Sequence, residues 1–334
     1  MQAPRPRWSW RSNAARRWIY QVLAVALIAA VVLFLASNTA NNMRARGMQS
    51  GFDFLSSAAG FDIGESLITF DSSETYWSAY LVGVTNTLRV AMLGILLTTV
   101  LGTLIGVGRL SRNMLVRGLC RMYVEVFRNV PLLLQLLMWY LLFSELLPSS
   151  TEPLRWGPFF LSKGGLTFPL LQLSDAPGIG WHWNVPVQGE FAVEGGGSLT
   201  PEFLSLLLGL VVYTAAFVSE VVRSGIQSVA RGQAEAASAL GLSQRQTLRL
   251  VILPQALRVI IPPLTNQFLG LTKNSSLAVA IGYPDVVSIA NTAINQTGRA
   301  VECIAIIMVV YLSTSLFTSL LMGWYNRRAA IAER

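Results

Sequence analysis

Residues 18–36 form an uncharged apolar run of 19 residues, close to the roughly 20 that a helix needs to cross the hydrocarbon core of a bilayer. Comparable runs occupy 80–108, 119–147, 201–227, 264–281 and 301–324. Backbone polar groups in lipid must be satisfied within their own segment, so such runs are expected to be helices. Composition agrees. Hydrophobic residues make up 53% of the chain and charged residues 13%, against about 25% charge in an ordinary soluble domain. The expectation is an all-α membrane protein with about six transmembrane helices.

The first run raises the alternative of a cleaved leader. It is long for a leader's apolar stretch, and no clean Ala-x-Ala site follows it, so an uncleaved anchor is expected. The polar segment 37–78 reads as a loop on the side away from the N-terminus. Segment 148–200, rich in Pro, Gly and Trp and with no helical period, reads as an insertion on that same side, and 282–299 as a short loop there. Within the second run, Gly94, Thr98, Gly102 and Gly106 recur at the small-residue spacing that lets helices approach closely.

The net charge of +8 could point to nucleic acid, but its placement argues otherwise. Eighteen of the 25 Lys and Arg residues fall on the N-terminal side of the spans: the two tails, the 109–128 stretch and the 223–258 stretch. Five fall on the opposite side (Arg44, Arg46, Arg155, Lys163 and Arg299). This bias puts both termini in the cytoplasm and accounts for the basic charge without a nucleic-acid partner. Arg89 and Lys273 lie inside spans.

Between the fourth and fifth runs lies a polar island, 235–254. A run of strong helix formers ends at Gly241, the usual left-handed stop. Ser243 with Gln246 then makes a capping box that restarts a helix. Pro254 is expected to close the unit, and Pro262–Pro263 to break the chain before the fifth span. The shape is a helix, a glycine turn and a second helix, with small side chains on the first arm.

Chemistry of other kinds finds few anchors. There is no Gly-x4-Gly-Lys-Ser/Thr phosphate loop and no nucleophile elbow, so no catalytic residue is assigned. Cys120 and Cys303 fall on opposite sides of the membrane, so no disulfide between them is expected, and His182 stands alone between Trp181 and Trp183. None has metal-ligand spacing, so no metal site is assigned. Charges inside spans are costly and therefore informative. Lys273, with Asn274, Ser275 and Ser276, interrupts the fifth run near the midplane. Its ammonium suits either a substrate carboxylate or an acidic partner on a neighbouring span. Glu125 with Arg128, and Glu220 with Arg223, stand at i, i+3 and read as ion pairs that pack or gate. Arg89 is expected to snorkel, and Glu302 to be solvated.

Glu235-Ala236-Ala237, Gly241, Val251, Leu253 and Pro254 resemble the EAA loop of ABC-importer permeases, with Val251 at a position usually Ile. Asn86-Thr87-Leu88, the stretch 123–135 and 273–277 resemble the polar amino-acid (His/Glu/Gln/Arg/opine) permease family. Segments 51–64 and 110–113 look more narrowly like the Q-type subunit of general L-amino-acid transporters and, equally, the B-type subunit of glutamate/glutamine/aspartate/asparagine importers. The resemblance implies a type I ABC-importer transmembrane domain with a cytoplasmic coupling helix.

On that basis the chain divides into a cytoplasmic tail (1–17), an anchor (18–36), a periplasmic loop (37–78), a permease core (79–324) and a second cytoplasmic tail (325–334). The core carries the insertion 148–200 and the elbow 230–254. Coupling to an ATPase falls to Glu235, Ala236, Ala237, Gly241, Leu253 and Pro254, and the substrate pathway to Asn86, Thr87 and Lys273 to Ser276. The implied partners are a second, non-identical permease of M- or C-type, a cytoplasmic ATPase dimer that binds ATP and Mg, a periplasmic amino-acid-binding protein and membrane lipid. The implied location is the bacterial inner membrane, and no cofactor sits in this chain. Competing readings are a channel or scaffold without energy input, an exporter permease, and a membrane-embedded enzyme.

Overall fold

The computed structural model describes residues 13–45, 47, 50–173 and 180–329. Most of the expected N-terminal tail (1–12) and the last residues of the C-terminal tail (330–334) lie outside the described residues, as does Arg46. Five helices are long and apolar enough to cross a membrane, or six if one bent pair counts as a span. They are α1 (Asn13–Ala45), α2 (Tyr76–Gly108), α5 (Pro201–Gln227), the segment that includes α8 (Leu253–Asn274), and α10 (Ala300–Ala329). The bent pair is α3 (Met114–Asn129) and α4 (Leu132–Leu141). Helix α1 is exposed along its membrane-spanning window.

Helices α2 and α5 form the central pair, and glycine lets them touch. A Cβ on Gly102 would lie 2.5 Å from Val218, and one on Gly106 would lie 2.7 Å from the Ser219 carbonyl oxygen. Thr98 donates to the Val211 carbonyl at 3.5 Å, and Gly94 faces Leu271 on α8. The small-residue ridge read from the sequence therefore seats two helices. Replacing Gly102 with Leu should destabilise the fold by about 1–3 kcal/mol through overpacking. Thermal unfolding in detergent would measure this. Leu at Gly118, whose side-chain direction is open, should change little.

Three expected elements come out differently. The third run is not one rod: α3 and α4 meet at 103°. Val130 is extended (φ −95°, ψ 128°), as a residue before proline tends to be. The Gln135 amide crosses the bend and donates to the carbonyls of Phe127 and Val130, both at 2.9 Å.

Pro254 does not end the helix. It sits in the first turn of α8, directly after the π-helical turn Thr247–Ile252, and the helical segment runs on through it. Pro262 and Pro263 lie inside α8 without breaking it, each leaving the carbonyl four residues back without its usual donor.

The expected loop at 282–299 contains α9 (Val286–Thr297). Asp285 caps it by accepting from the Ser288 N–H at 2.8 Å, and Gly298 at φ 71° ends it. A Cβ on Gly83 of α2 would sit 3.0 Å from the Val286 backbone, so glycine also lets α9 dock on α2.

The insertion at 148–200 is β-structure. Strands β1 (Leu154–Trp156), β2 (Phe159–Ser162) and β3 (Gly165–Phe168) are followed by the pair β4 (Leu170–Leu173) and β5 (Trp181–Asn184). Strands β6 (Val187–Gln188) and β7 (Val193–Glu194) pair, and β8 (Gly197–Leu199) returns to β3, closing a four-stranded antiparallel sheet. Strands this short leave too few residues for an alternating pattern to stand out.

The segment before α2 is strapped onto the core at the end of the helices opposite the elbow. Asp53 pairs with Arg299, whose guanidinium holds the Asp53 carboxyl below its usual range. The Gly51 N–H donates to Glu302 at 2.8 Å. Glu302 is therefore buried, not solvated. Arg89 does not snorkel: it pairs with the buried Glu65 at 2.5 Å and lies 4.2 Å over the Phe203 ring. Glu65 also accepts from the Thr200 hydroxyl. A charge that far from water is stabilised by a partner, and here the partner arrives from a loop outside the span.

Candidate functional site

The elbow is built from local signals that close in sequence. Helix α6 (Arg231–Ala239) stops at Gly241, which adopts φ 78°. The Gly241 N–H donates to the Ser238 carbonyl at 3.0 Å and the Leu242 N–H to the Ala237 carbonyl at 3.1 Å, the two bonds of a Schellman stop. Ser243 then caps α7 (Gln244–Gln246), with the Ser243 N–H donating to the Gln246 side chain at 2.9 Å and the Gln246 N–H to the Ser243 hydroxyl at 3.4 Å. A π-helical turn, Thr247–Ile252, joins α7 directly to α8. The second arm of the elbow is thus continuous with the fifth apolar helix, so motion of α6 has a helical route into it.

One side of α6 packs and the other is open. Ala237 is buried, as is Thr247 on the facing turn, while Glu235, Ala236 and Gly241 are exposed. Leu240, at the tip, is 82% exposed. Leu253 is exposed at the root of α8 and Pro254 half-buried. The exposed arm offers mostly small side chains, with Arg231, Gln233, Glu235 and Leu240 as its larger groups, a surface that another protein can approach closely.

Beside the elbow lies a charge cluster. Glu220 on α5 holds both Arg223 and Arg109, the latter at the end of α2. The pairing of Arg109 with Glu220 was not legible in the sequence, because the two are 111 residues apart. The second expected pair is corrected. Arg128 stacks over Phe217 at 5.0 Å, and no ion pair links it to Glu125 among the described residues. Arg128 turns toward α5, while Glu125 stays on the exposed side of α3.

The polar residues assigned to a pathway separate into two groups. Asn86 and Thr87 are fully buried. Asn86 donates to the carbonyls of Glu65 at 2.8 Å and Pro284 at 3.0 Å. Thr87 donates to Gly83 and accepts from the Val286 N–H. In this conformation both brace α2 against α9.

Lys273 is exposed on the last turn of α8 and makes no ion pair among the described residues. It lines a cavity of about 580 Å³ against α10, with Tyr311 and Ser315 as the other polar residues. The Ser315 hydroxyl is buried without a partner. Asn274 is half-buried. Ser275 is buried and donates to Thr272, and Ser276 donates to the Lys273 carbonyl. These hydroxyls cap the turn where α8 tightens into a 3-10 helix, Ser275–Ile281.

Close by, Asp285 accepts from the Tyr311 hydroxyl at 3.3 Å, and burial pushes its carboxyl up to about 7. The sign follows from linkage. An acid with a raised folded pKa makes the fold lose stability as pH rises from the unfolded value, about 4, to the folded one. Thermal unfolding followed between pH 4 and 8 should show that decline, and Asp285→Asn should remove this part of it.

The comparisons with known proteins agree with this geometry. A family model described as "Binding-protein-dependent transport system inner membrane component" matches residues 98–331. The chain is 43% identical to the general L-amino acid transport system permease protein AapQ of Rhizobium johnstonii, over 98% of this chain and 96% of the relative. It is 35% identical to the glutamate/glutamine/aspartate/asparagine transport system permease protein BztB of Rhodobacter capsulatus, over 94% and 93%. The Q-type relative is thus the more similar of two that the sequence reading weighed equally. A solved amino acid ABC transporter has a chain that superposes with a TM-score of 0.56 at 26% identity, covering 76% of this chain and 95% of its own.

Proposed function

This chain belongs to the family of binding-protein-dependent transport system inner membrane components, and from that premise we propose that it is the permease subunit of an ATP-driven importer of L-amino acids. Its substrates are of the broad or the glutamate/glutamine/aspartate/asparagine kind. The exposed elbow carries the reading. It is a small-residue helix held by a Schellman stop and a capping box and continuous with a membrane helix, a form suited to receiving mechanical work. The chain itself is a multi-pass membrane protein and a transport component.

Hydrolysis of ATP with Mg falls to two copies of a cytoplasmic ATPase that bind the elbows. A second permease of M- or C-type completes the pathway, and a periplasmic binding protein delivers the amino acid. The membrane is the bacterial inner membrane, with both termini and the elbow in the cytoplasm. Closure of the ATPase dimer pushes α6, and the push passes through α7 and the π turn into α8. Lys273 stands at the membrane end of that lever, where an ammonium meets a carboxylate in passing.

Uptake of radiolabelled glutamate, glutamine and arginine by the reconstituted complex tests the proposal. Uptake that needs both ATP and the binding protein is the expected result. Uptake without ATP, or a complex that purifies with no ATPase, would instead indicate a channel or scaffold. Lys273→Met should reduce uptake at least tenfold if the ammonium contacts a carboxylate, since a desolvated charge-assisted hydrogen bond is worth about 1.5–3 kcal/mol.

A further inference from the structure

Helix α3 has three distinct sides. Val116, Cys120, Tyr123, Val124 and Phe127 face α2 and α5. Leu115, Leu119, Met122 and Val126 recur at helical spacing along one flank, and all are exposed. Arg117 and Arg121 lie one turn apart on the opposite flank, also exposed, and Arg112 precedes them in the loop. None of these three arginines makes an ion pair among the described residues. Glu125, one turn beyond Arg121, is the only acid in the helix.

The packing orients these flanks. Helix α4 runs alongside α5, with Leu136 against Gly209 and the Tyr140 hydroxyl donating to Glu202. The 103° bend therefore turns α3 across the bundle. Tyr123, toward the apolar flank, donates to the Val212 carbonyl at 2.6 Å. Arg128, on the basic flank, stacks over Phe217. Helix α5 descends toward the elbow, so Phe217 lies roughly 7 Å nearer the elbow than Val212. The apolar flank thus points into the bilayer and the basic flank toward the elbow side. Cys120 lies against Gly108, beside the inner end of α2 where Arg109 meets Glu220, which sets the helix at the inner interface.

We propose that the basic flank of α3, with Arg112, Arg117 and Arg121, binds the headgroups of anionic phospholipids of the inner leaflet, while the Leu115–Val126 flank lies in the acyl region. The occupant follows from charge. Unpaired cations over an apolar stripe are the pattern by which in-plane helices hold anionic lipid. The assignment to the inner leaflet rests on the proposed orientation, but the binding itself does not. The surface ties the α3–α4 bend to the composition of the membrane.

The test uses the complete purified chain in detergent and native mass spectrometry with phosphatidylglycerol or phosphatidylcholine. Basic residues near an anionic surface contribute about fivefold each. Arg117→Gln with Arg121→Gln should therefore weaken phosphatidylglycerol binding roughly 30-fold and leave phosphatidylcholine unchanged. The double Lys variant should retain most of the binding, because it keeps both positive charges at the headgroup level. Unchanged phosphatidylglycerol binding by the Gln variant would overturn the proposal. So would an equal loss for both lipids, or loss of a co-purifying subunit with lipid binding intact, which would place a protein on that flank.

Discussion

Gly241→Pro abolishes amino-acid uptake while the chain still inserts in the membrane. Gly241 holds φ 78°, and proline is locked near −65°. Its N–H also donates to the Ser238 carbonyl, a bond that proline cannot make. The Schellman stop is lost and α6 no longer meets α7 at a fixed angle. The spans lie elsewhere, so insertion stands. Glu235→Lys reaches the same end by another route. Glu235 is exposed and has no ion pair among the described residues, so reversing its charge leaves the fold intact and alters only what docks on α6. Binding-protein-dependent uptake in vesicles, with membrane content checked by immunoblot, measures both. Normal uptake by either variant would count against the elbow as the coupling element.

The largest effect on stability is expected at Glu65. Its carboxylate holds Arg89 and the Thr200 hydroxyl and is buried. Glu65→Ala leaves the Arg89 guanidinium, 15% exposed, without its counter-charge. Removing one partner of a buried pair costs about 3–5 kcal/mol, which for a chain of this size corresponds to a drop of roughly 4–7 °C in Tm. Glu65→Leu with Arg89→Leu should lose less than Glu65→Ala alone, because no orphaned charge remains. A double variant no more stable than the single would show that the pair contributes through packing.

The membrane helices were legible because lipid imposes a length, and α5 begins at Pro201 and ends at Gln227 as its apolar run does. The ridge of Gly94, Thr98, Gly102 and Gly106 and the Ser243–Gln246 box were legible because spacing alone specifies them. The α3–α4 bend was hidden because the leucine run after Pro131 reads as one span with the amphipathic, charged stretch before it, although Pro131 marks the break. The Asp285 cap and the Gly298 stop of α9 stood in plain sight, and the short apolar stretch between them masked their meaning. Arg89 and Glu302 were misread for one shared reason. Each has a partner on a distant segment, at Glu65 and Gly51, and spacing along a helix carries no information about such partners.

The central claim is that α6 is a cytosolic lever seated on a separate ATPase. Ala239→Cys, placed on the exposed arm in a Cys120→Ser, Cys303→Ser background, allows the most direct measurement. The assembled complex in intact cells and in inside-out vesicles would be treated with a membrane-impermeant thiol reagent and with a bifunctional cross-linker. The account predicts labelling only in inside-out vesicles and a cross-link to the nucleotide-binding subunit. Labelling from outside intact cells, or no cross-link to that subunit, would contradict it.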